Sequence, residues 1–140
     1  MDLMALRRRV IMQGAAPSSD LYPIGTDICD YYNFKSTAVS NTDISTSTGE
    51  LITSATAAKN TSELYAEINQ GYTYAKKRLR LYTVAYYDDQ YAFISATSDY
   101  NNTTEGSVVE NIPINAKYVR ITMYHTASSS WDEVGLVRTA

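Results

Sequence analysis

The sequence has one cysteine, one histidine and one tryptophan in 140 residues, with three prolines and six glycines. A lone Cys29 excludes an intramolecular disulfide, and no Cys/His spacing resembles a zinc site. The thiol reads as a small buried hydrophobe. Glycine is too sparse for a loop that cradles phosphate. No apolar run is long enough to span a bilayer. An excess of one charge is missing too. The net charge of −3 provides no broad basic footprint for nucleic acid. What is there is enough chain for one domain with a core of its own. Ser, Thr, Asn and Tyr fill the polar positions, with 13 Tyr against 2 Phe. Tyrosine at this level suits β-structure that meets polar partners, and it equally fits pleated, half-buried strands.

The strongest strand signal is Ile112–Tyr124, IPINAKYVRITMY. Val119, Ile121 and Met123 alternate with Tyr118, Arg120, Thr122 and Tyr124, the period of two of a strand with different faces. Pro113 cannot donate to a ladder, so the strand begins after it. The apolar row is expected in a core between sheets. The Tyr/Arg row is expected to face water, a partner chain or a ligand.

The N-terminus has a different period. In Met1–Gly14, MDLMALRRRVIMQG, Leu3, Leu6 and Val10 form a helical stripe flanked by Met4 and Ile11. Asp2 can cap this helix, and Gly14 can end it. The arginines Arg7–Arg9 sit mid-segment, which is not the order of a signal peptide. Three arginines are few for nucleic acid and read as a solvated helix face. So short a helix is marginal alone and must pack on the domain's own sheet, on a copy of itself or on another protein. Self-association or docking through Leu3, Leu6, Val10 and Ile11 is favoured. Residues 15–27 read as a linker and 28–140 as the β domain.

Within that domain, Asp30–Phe34 is expected to enter the first strand. Residues 36–58 read as short strands with polar turns, Gly49 supplying a positive φ. Ser62–Ile68 alternates as a strand or forms one helical turn. Arg78–Tyr87 is a strand with apolar residues on both faces. Asp88-Asp89-Gln90 turns it back into Tyr91–Ala96, a hairpin. A polar loop over residues 97–106 precedes Val108-Val109, and a last short strand covers Glu133–Arg138. Many short strands with regular turns give a mainly β fold, a β-sandwich or jelly roll with a short N-terminal helix.

Few residues are placed for chemistry. His125 lies near Ser128–Ser130 and Asp132, yet no nucleophile-elbow sequence accompanies them. Asp88-Asp89 with Glu50, Glu63 or Glu67 could form a glycosidase carboxylate pair, but a turn role explains them more simply. No Asp/Asn-Gly calcium loop is present. The Asn60 and Asn102 sequons matter only in a secretory pathway. A sugar site needs an aromatic platform with carboxylates and amides around it. Tyr87, Tyr91, Tyr100, Asn102 and Trp131 supply those groups near loops. The competing reading packs most of these rings inside the domain or between subunits.

The succession DISTSTGELITS at 43–54, LYTVAYYDDQYAFISA at 81–96 and IPINAKYVRITMY at 112–124 resembles a module of phage tail, baseplate and fibre proteins. It is similar to galactose-binding-like, carbohydrate-binding jelly rolls, over roughly residues 40–125. The resemblance implies a non-enzymatic component of the virion; no cofactor or metal is expected from the residues themselves. Such proteins are often homotrimers that contact other virion proteins and, in some cases, a cell-surface glycan; neither nucleic acid nor membrane is implied as a partner. The alternative is a freestanding carbohydrate-binding module. If the N-terminal stripe is the assembly handle, light scattering will show a trimer that becomes a monomer when residues 1–14 are deleted. A mass unchanged by the deletion would reject that role.

Overall fold

The computed structural model of the protein describes residues 20–56, 58–77, 81–98, 112–128 and 130–140. Met1–Gly14, with Leu3, Leu6, Val10 and Ile11, lies outside them, as do Tyr100, Asn102 and Val108-Val109. The described chain is mainly β, with several antiparallel sheets and almost no helix. A helical turn, α1 (Ile28–Tyr31), precedes β1 (Val39–Ser40), β2 (Thr42–Ile44), β3 (Leu51–Thr53), β4 (Lys59–Thr61) and β5 (Ala66–Glu67). Then come β6 (Tyr74–Lys76), β7 (Leu81–Tyr87), β8 (Phe93–Ser98), β9 (Tyr118–Tyr124) and β10 (Leu136–Arg138), with a 3-10 turn at Trp131–Glu133 before the last.

β9 is the strand expected from the alternating run, and it sits at the centre. The main sheet runs β1-β4-β9-β7-β8, with β5 also paired to β9. Val119, Ile121 and Met123 enter the larger core with Leu81, Val84 and Tyr86 of β7. Burial of such aliphatic side chains is worth about 1.5–3 kcal/mol each. A register shift between Leu81 and Thr83 puts Leu81 on the same side as Val84 and Tyr86, where plain alternation would leave it beside Thr83. Leu81 joins the larger core, while Thr83 contacts Asp43 on the opposite side.

The middle of the polar row of β9, Arg120 and Thr122, does not face water, while Tyr118 and Tyr124 at its ends stay partly exposed. Arg120 and Thr122 are 8% and 0% exposed, because the β2–β3 hairpin lies over that face. Asp43 of β2 makes this burial tolerable. Its Oδ1 accepts from the hydroxyls of Thr83 (3.0 Å) and Thr122 (2.9 Å) and from the Ile44 amide (2.7 Å). Its Oδ2 takes Lys59 Nζ at 2.9 Å. Thr61 closes the set: its Oγ1 donates to the Thr42 carbonyl at 2.8 Å and lies 2.8 Å from Thr122 Oγ1, whose single proton is shared between Asp43 and Thr61. Buried polar groups are tolerated when each finds partners. Sequence alternation could not show this, because it reports that two faces differ and not that one meets water.

The other face carries the larger core, closed by α1, the β6–β10 sheet and Tyr22. Two further expectations change here. Residues 20–27, assigned to the linker, belong to the folded body: Tyr22 is 2% exposed, and Asp27 bridges Val137. Asp27 Oδ1 accepts from the Cys29 amide (3.0 Å) and the Leu136 amide (3.1 Å), while Oδ2 pairs with Lys35 (3.0 Å) and Lys77 (3.3 Å). A Cβ at Gly135 would strike this carboxylate. Asp30–Phe34 does not enter a strand either. Asp27 caps α1, and Asn33 reverses the chain at φ 61°, so that Ile28, Cys29 and Phe34 all point into the core. Burial, with Asp27 close by, pushes the Cys29 thiol well above its ordinary value. Asn60 is buried, its Nδ2 donating to the carbonyls of Ala58 and His125 at 2.8 and 3.2 Å.

Burial alone would raise the Asp43 pKa, but hydrogen bonds from Lys59, the Ile44 amide, Thr122 and Thr83 outweigh it and hold the carboxyl below its ordinary 3.8. A depressed folded value contributes stability that is complete above the unfolded value and fades as pH falls through the folded one. Asp43→Asn should therefore cost about 2 kcal/mol in urea unfolding at pH 7. The gap from wild type should narrow as the pH is taken down through and below 3.8. A gap independent of pH would show that the Asp43 charge contributes nothing.

Candidate functional site

β7 ends at Tyr87, and the turn beyond it is built by Asp88. Asp88 Oδ1 accepts from the amides of Gln90 (2.8 Å) and Ala92 (2.9 Å). The Tyr91 amide donates to the Asp88 carbonyl at 3.0 Å, and the Asp88 amide to the Ala92 carbonyl at 2.9 Å. This five-residue reversal ends in a left-handed residue, a place that favours glycine or asparagine. Here it is Tyr91, at φ 64°. For an L side chain that conformation costs roughly 1–2 kcal/mol.

The strain puts an aromatic ring where three elements meet. Tyr91, 51% exposed, stacks on Tyr118 at the start of β9, with ring centroids 4.4 Å apart and planes inclined by 17°. Tyr65, just before β5, stands 4.8 Å from Tyr91 and 6.2 Å from Tyr118. A hydrogen bond to the Tyr91 hydroxyl, with help from the nearby Glu67 and Asp89 charges, pushes the Tyr118 pKa up to about 12.

Beneath this surface layer lies a buried one. Tyr87 is 2% exposed, its ring edge-on to Tyr65 at 5.0 Å. Arg120 places its guanidinium 4.5 Å from the Tyr65 ring centre and 5.0 Å from that of Tyr87. It donates from Nε to the Tyr87 hydroxyl (3.1 Å) and from Nη2 to the Gly49 carbonyl (2.7 Å). The Tyr87 hydroxyl donates to the same carbonyl at 2.6 Å. Gly49 is itself at φ 74°, and a Cβ there would run into the Phe93 ring. The expected positive φ at Gly49 is thus present, and it delivers a carbonyl to Arg120.

Beside the tyrosines runs an open groove of about 480 Å³. Its walls include Glu67, Asn69, Asp88, Asp89, Asn115 and Lys117. The strand register continues it into the platform, since Glu67 pairs with Tyr118 across β5 and β9. Lys117 Nζ lies 3.6 Å from Glu67, and the Lys117 amide donates to the Tyr87 carbonyl at 2.9 Å. The arrangement has what sugar recognition uses: an exposed aromatic face next to carboxylates and amides.

Of the residues singled out for glycan contact, Tyr91 lies at this site. Tyr87 lies under it, its ring buried, so it presents no face to a ligand. Trp131 is elsewhere. It stacks on His125 with centroids 3.8 Å apart and packs against the larger core. His125 is one residue past the end of β9, roughly 23 Å along the chain from Tyr118 at the strand rise. Tyr100 and Asn102 fall outside the described residues. Sequence reasoning did not single out Tyr65, and it placed Tyr118 only in a row expected to face water, a partner chain or a ligand. The signal for Tyr118 was its place in the polar row of β9; a sequence offers no sign that Tyr65, Tyr91 and Tyr118 converge. Among the described residues, no group of three or more His, Cys, Asp or Glu is disposed to hold a metal ion.

In comparisons with known proteins, the chain matches no protein-family model, no curated protein and no solved structure.

Substitutions at Tyr91 separate strain from stacking. Tyr91→Ala and Tyr91→Gly both remove the ring, but only glycine accepts the left-handed conformation freely. Tyr91→Gly should be the more stable of the two by about 1 kcal/mol in urea unfolding. Equal stabilities would mean that the turn does not hold this residue in the left-handed region.

Proposed function

We propose that this chain is a non-enzymatic, glycan-contacting β-sandwich of the jelly-roll kind, serving as a structural protein of a bacteriophage particle. The observation that carries the glycan part is the exposed Tyr91–Tyr118 stack beside a groove of carboxylates and amides. The C–H face of a pyranose can lie on Tyr91, and its hydroxyls can reach Asn69, Asp89 or Asn115. The sandwich reading is supported by a main sheet covered on both faces, by β2–β3 on one and by β6–β10 with α1 on the other. The virion setting rests on the resemblance of residues 40–125 to phage tail modules. The stripe of Leu3, Leu6, Val10 and Ile11 is the proposed assembly handle.

A second reading has one observation in its favour. Glu67, Asp88 and Asp89 line the same groove, as two carboxylates would in a glycosidase. Against it, Asp88 has one oxygen committed to two turn amides, and Glu67 is paired with Lys117. Both carboxylates already have structural duties.

A glycan array of bacterial surface polysaccharides and plain oligosaccharides tests both readings. Tyr91→Ala and Tyr118→Ala should each weaken retention about tenfold, the size expected for a lost aromatic contact. Trp131→Phe should leave retention unchanged. Retention indifferent to Tyr91 and Tyr118 would reject the platform. Release of shorter sugars by wild type would favour the enzyme instead.

A further inference from the structure

We infer that the groove beside Tyr91 selects uncharged glycans and rejects those bearing carboxylate or sulfate groups, with Glu67 and Asp89 as the specificity-determining residues. This rests on the glycan-contact reading above and adds the class of sugar. Among the described residues, the charged side chains lining the groove are Glu67, Asp88, Asp89 and Lys117, three carboxylates against one ammonium. Lys117 Nζ lies 3.6 Å from Glu67, so these two charges offset one another and the groove keeps an excess of carboxylate. Among the described residues, Arg120, a further cation close to the tyrosines, is turned away. Its nitrogens donate to Tyr87 and Gly49, and its guanidinium lies against the Tyr65 ring, 92% shielded from solvent.

The negative charge also lies close to where a sugar would stack. Glu67 faces Tyr118 across the strand pair, and Glu67 and Asp89 both act on the Tyr118 hydroxyl. A sugar lying on Tyr91 therefore carries its substituents toward a groove with an excess of carboxylates, only Glu67 of them being offset by Lys117. Hydroxyl and acetamido groups can donate to those carboxylates, whereas a carboxylate or sulfate can only be repelled. At surface-like screening, a like charge within several ångströms weakens binding about fivefold to tenfold. Salt reduces the penalty.

The experiment uses the full chain and matched probes: N-acetyllactosamine against its sialylated form, and galactose oligomers against galacturonic acid oligomers. Neutral members should bind at least about fivefold more tightly at low ionic strength, and the ratio should shrink toward one as salt approaches about 1 M. Glu67→Gln and Asp89→Asn together should shrink the same ratio at low salt. Equal or tighter binding of the acidic members, or a ratio unmoved by both salt and substitution, overturns the selectivity. If such binding is still lost in Tyr91→Ala, the platform stands and the selectivity alone fails. Binding of neither member of either pair rejects the platform and the selectivity with it.

Discussion

A strand buried on both faces, with polar side chains on one of them, is the constraint on which this structure depends. β9 presents Val119, Ile121 and Met123 to the larger core and Arg120 and Thr122 to the β2–β3 hairpin. An apolar face needs only shape and volume, but a buried polar face needs every donor and acceptor matched. Asp43 and Gly49, both from the β2–Gly49 segment of the chain, supply that match for Thr122 and Arg120 respectively. The cover is therefore attached by specific bonds. This ties the placement of the hairpin to residues far along the chain.

The same requirement organises the tyrosines. Arg120 is held between Tyr65 and Tyr87 and fastened to Gly49, so the inner ring of the cluster is fixed by the fold itself. The outer rings, Tyr91 and Tyr118, rest on that layer. Tyr91 occupies a left-handed position where glycine would be cheaper. Strain retained at an exposed aromatic residue is a pattern found at sites that must present a side chain in one orientation. The inner layer gives stability, and the outer layer offers the surface.

Much of the fold was legible. The alternation over residues 118–124, the hairpin around Asp88–Gln90 and the positive φ at Gly49 each follow from local rules of period and turn chemistry. Where reading failed, a long-range partner had changed the meaning of a local pattern. Asp30–Phe34 looked like strand because it is aromatic, yet the Asp27 cap and the bond network around it make a helical turn. Leu21–Asp27 looked like linker because of Pro23 and Gly25, yet Tyr22 is a core residue whose hydroxyl meets that of Tyr74 at 2.6 Å. For the candidate site, Tyr91 was legible as a loop tyrosine. Tyr87, one strand residue before the turn, was legible only as a tyrosine near a loop, and burial separates the two.

By itself, the sequence determined the mainly β class of the fold, the central strand, the turns and the exclusion of an intramolecular disulfide. These depend on spacing and on residue types within a few positions of one another. Tertiary structure alone decided that the polar face of β9 is covered, that Arg120 is an interior residue and that Tyr65, Tyr91 and Tyr118 form one surface. Period-two alternation distinguishes one face from the other but carries no information about what is laid over either. Asp43 meets Thr122 because the β2–β3 hairpin, a separate sheet, packs over the main one, and Tyr65 meets Tyr118 because β5 pairs with β9 far along the chain. Such meetings are a property of packing and register, and both are settled by the whole core at once.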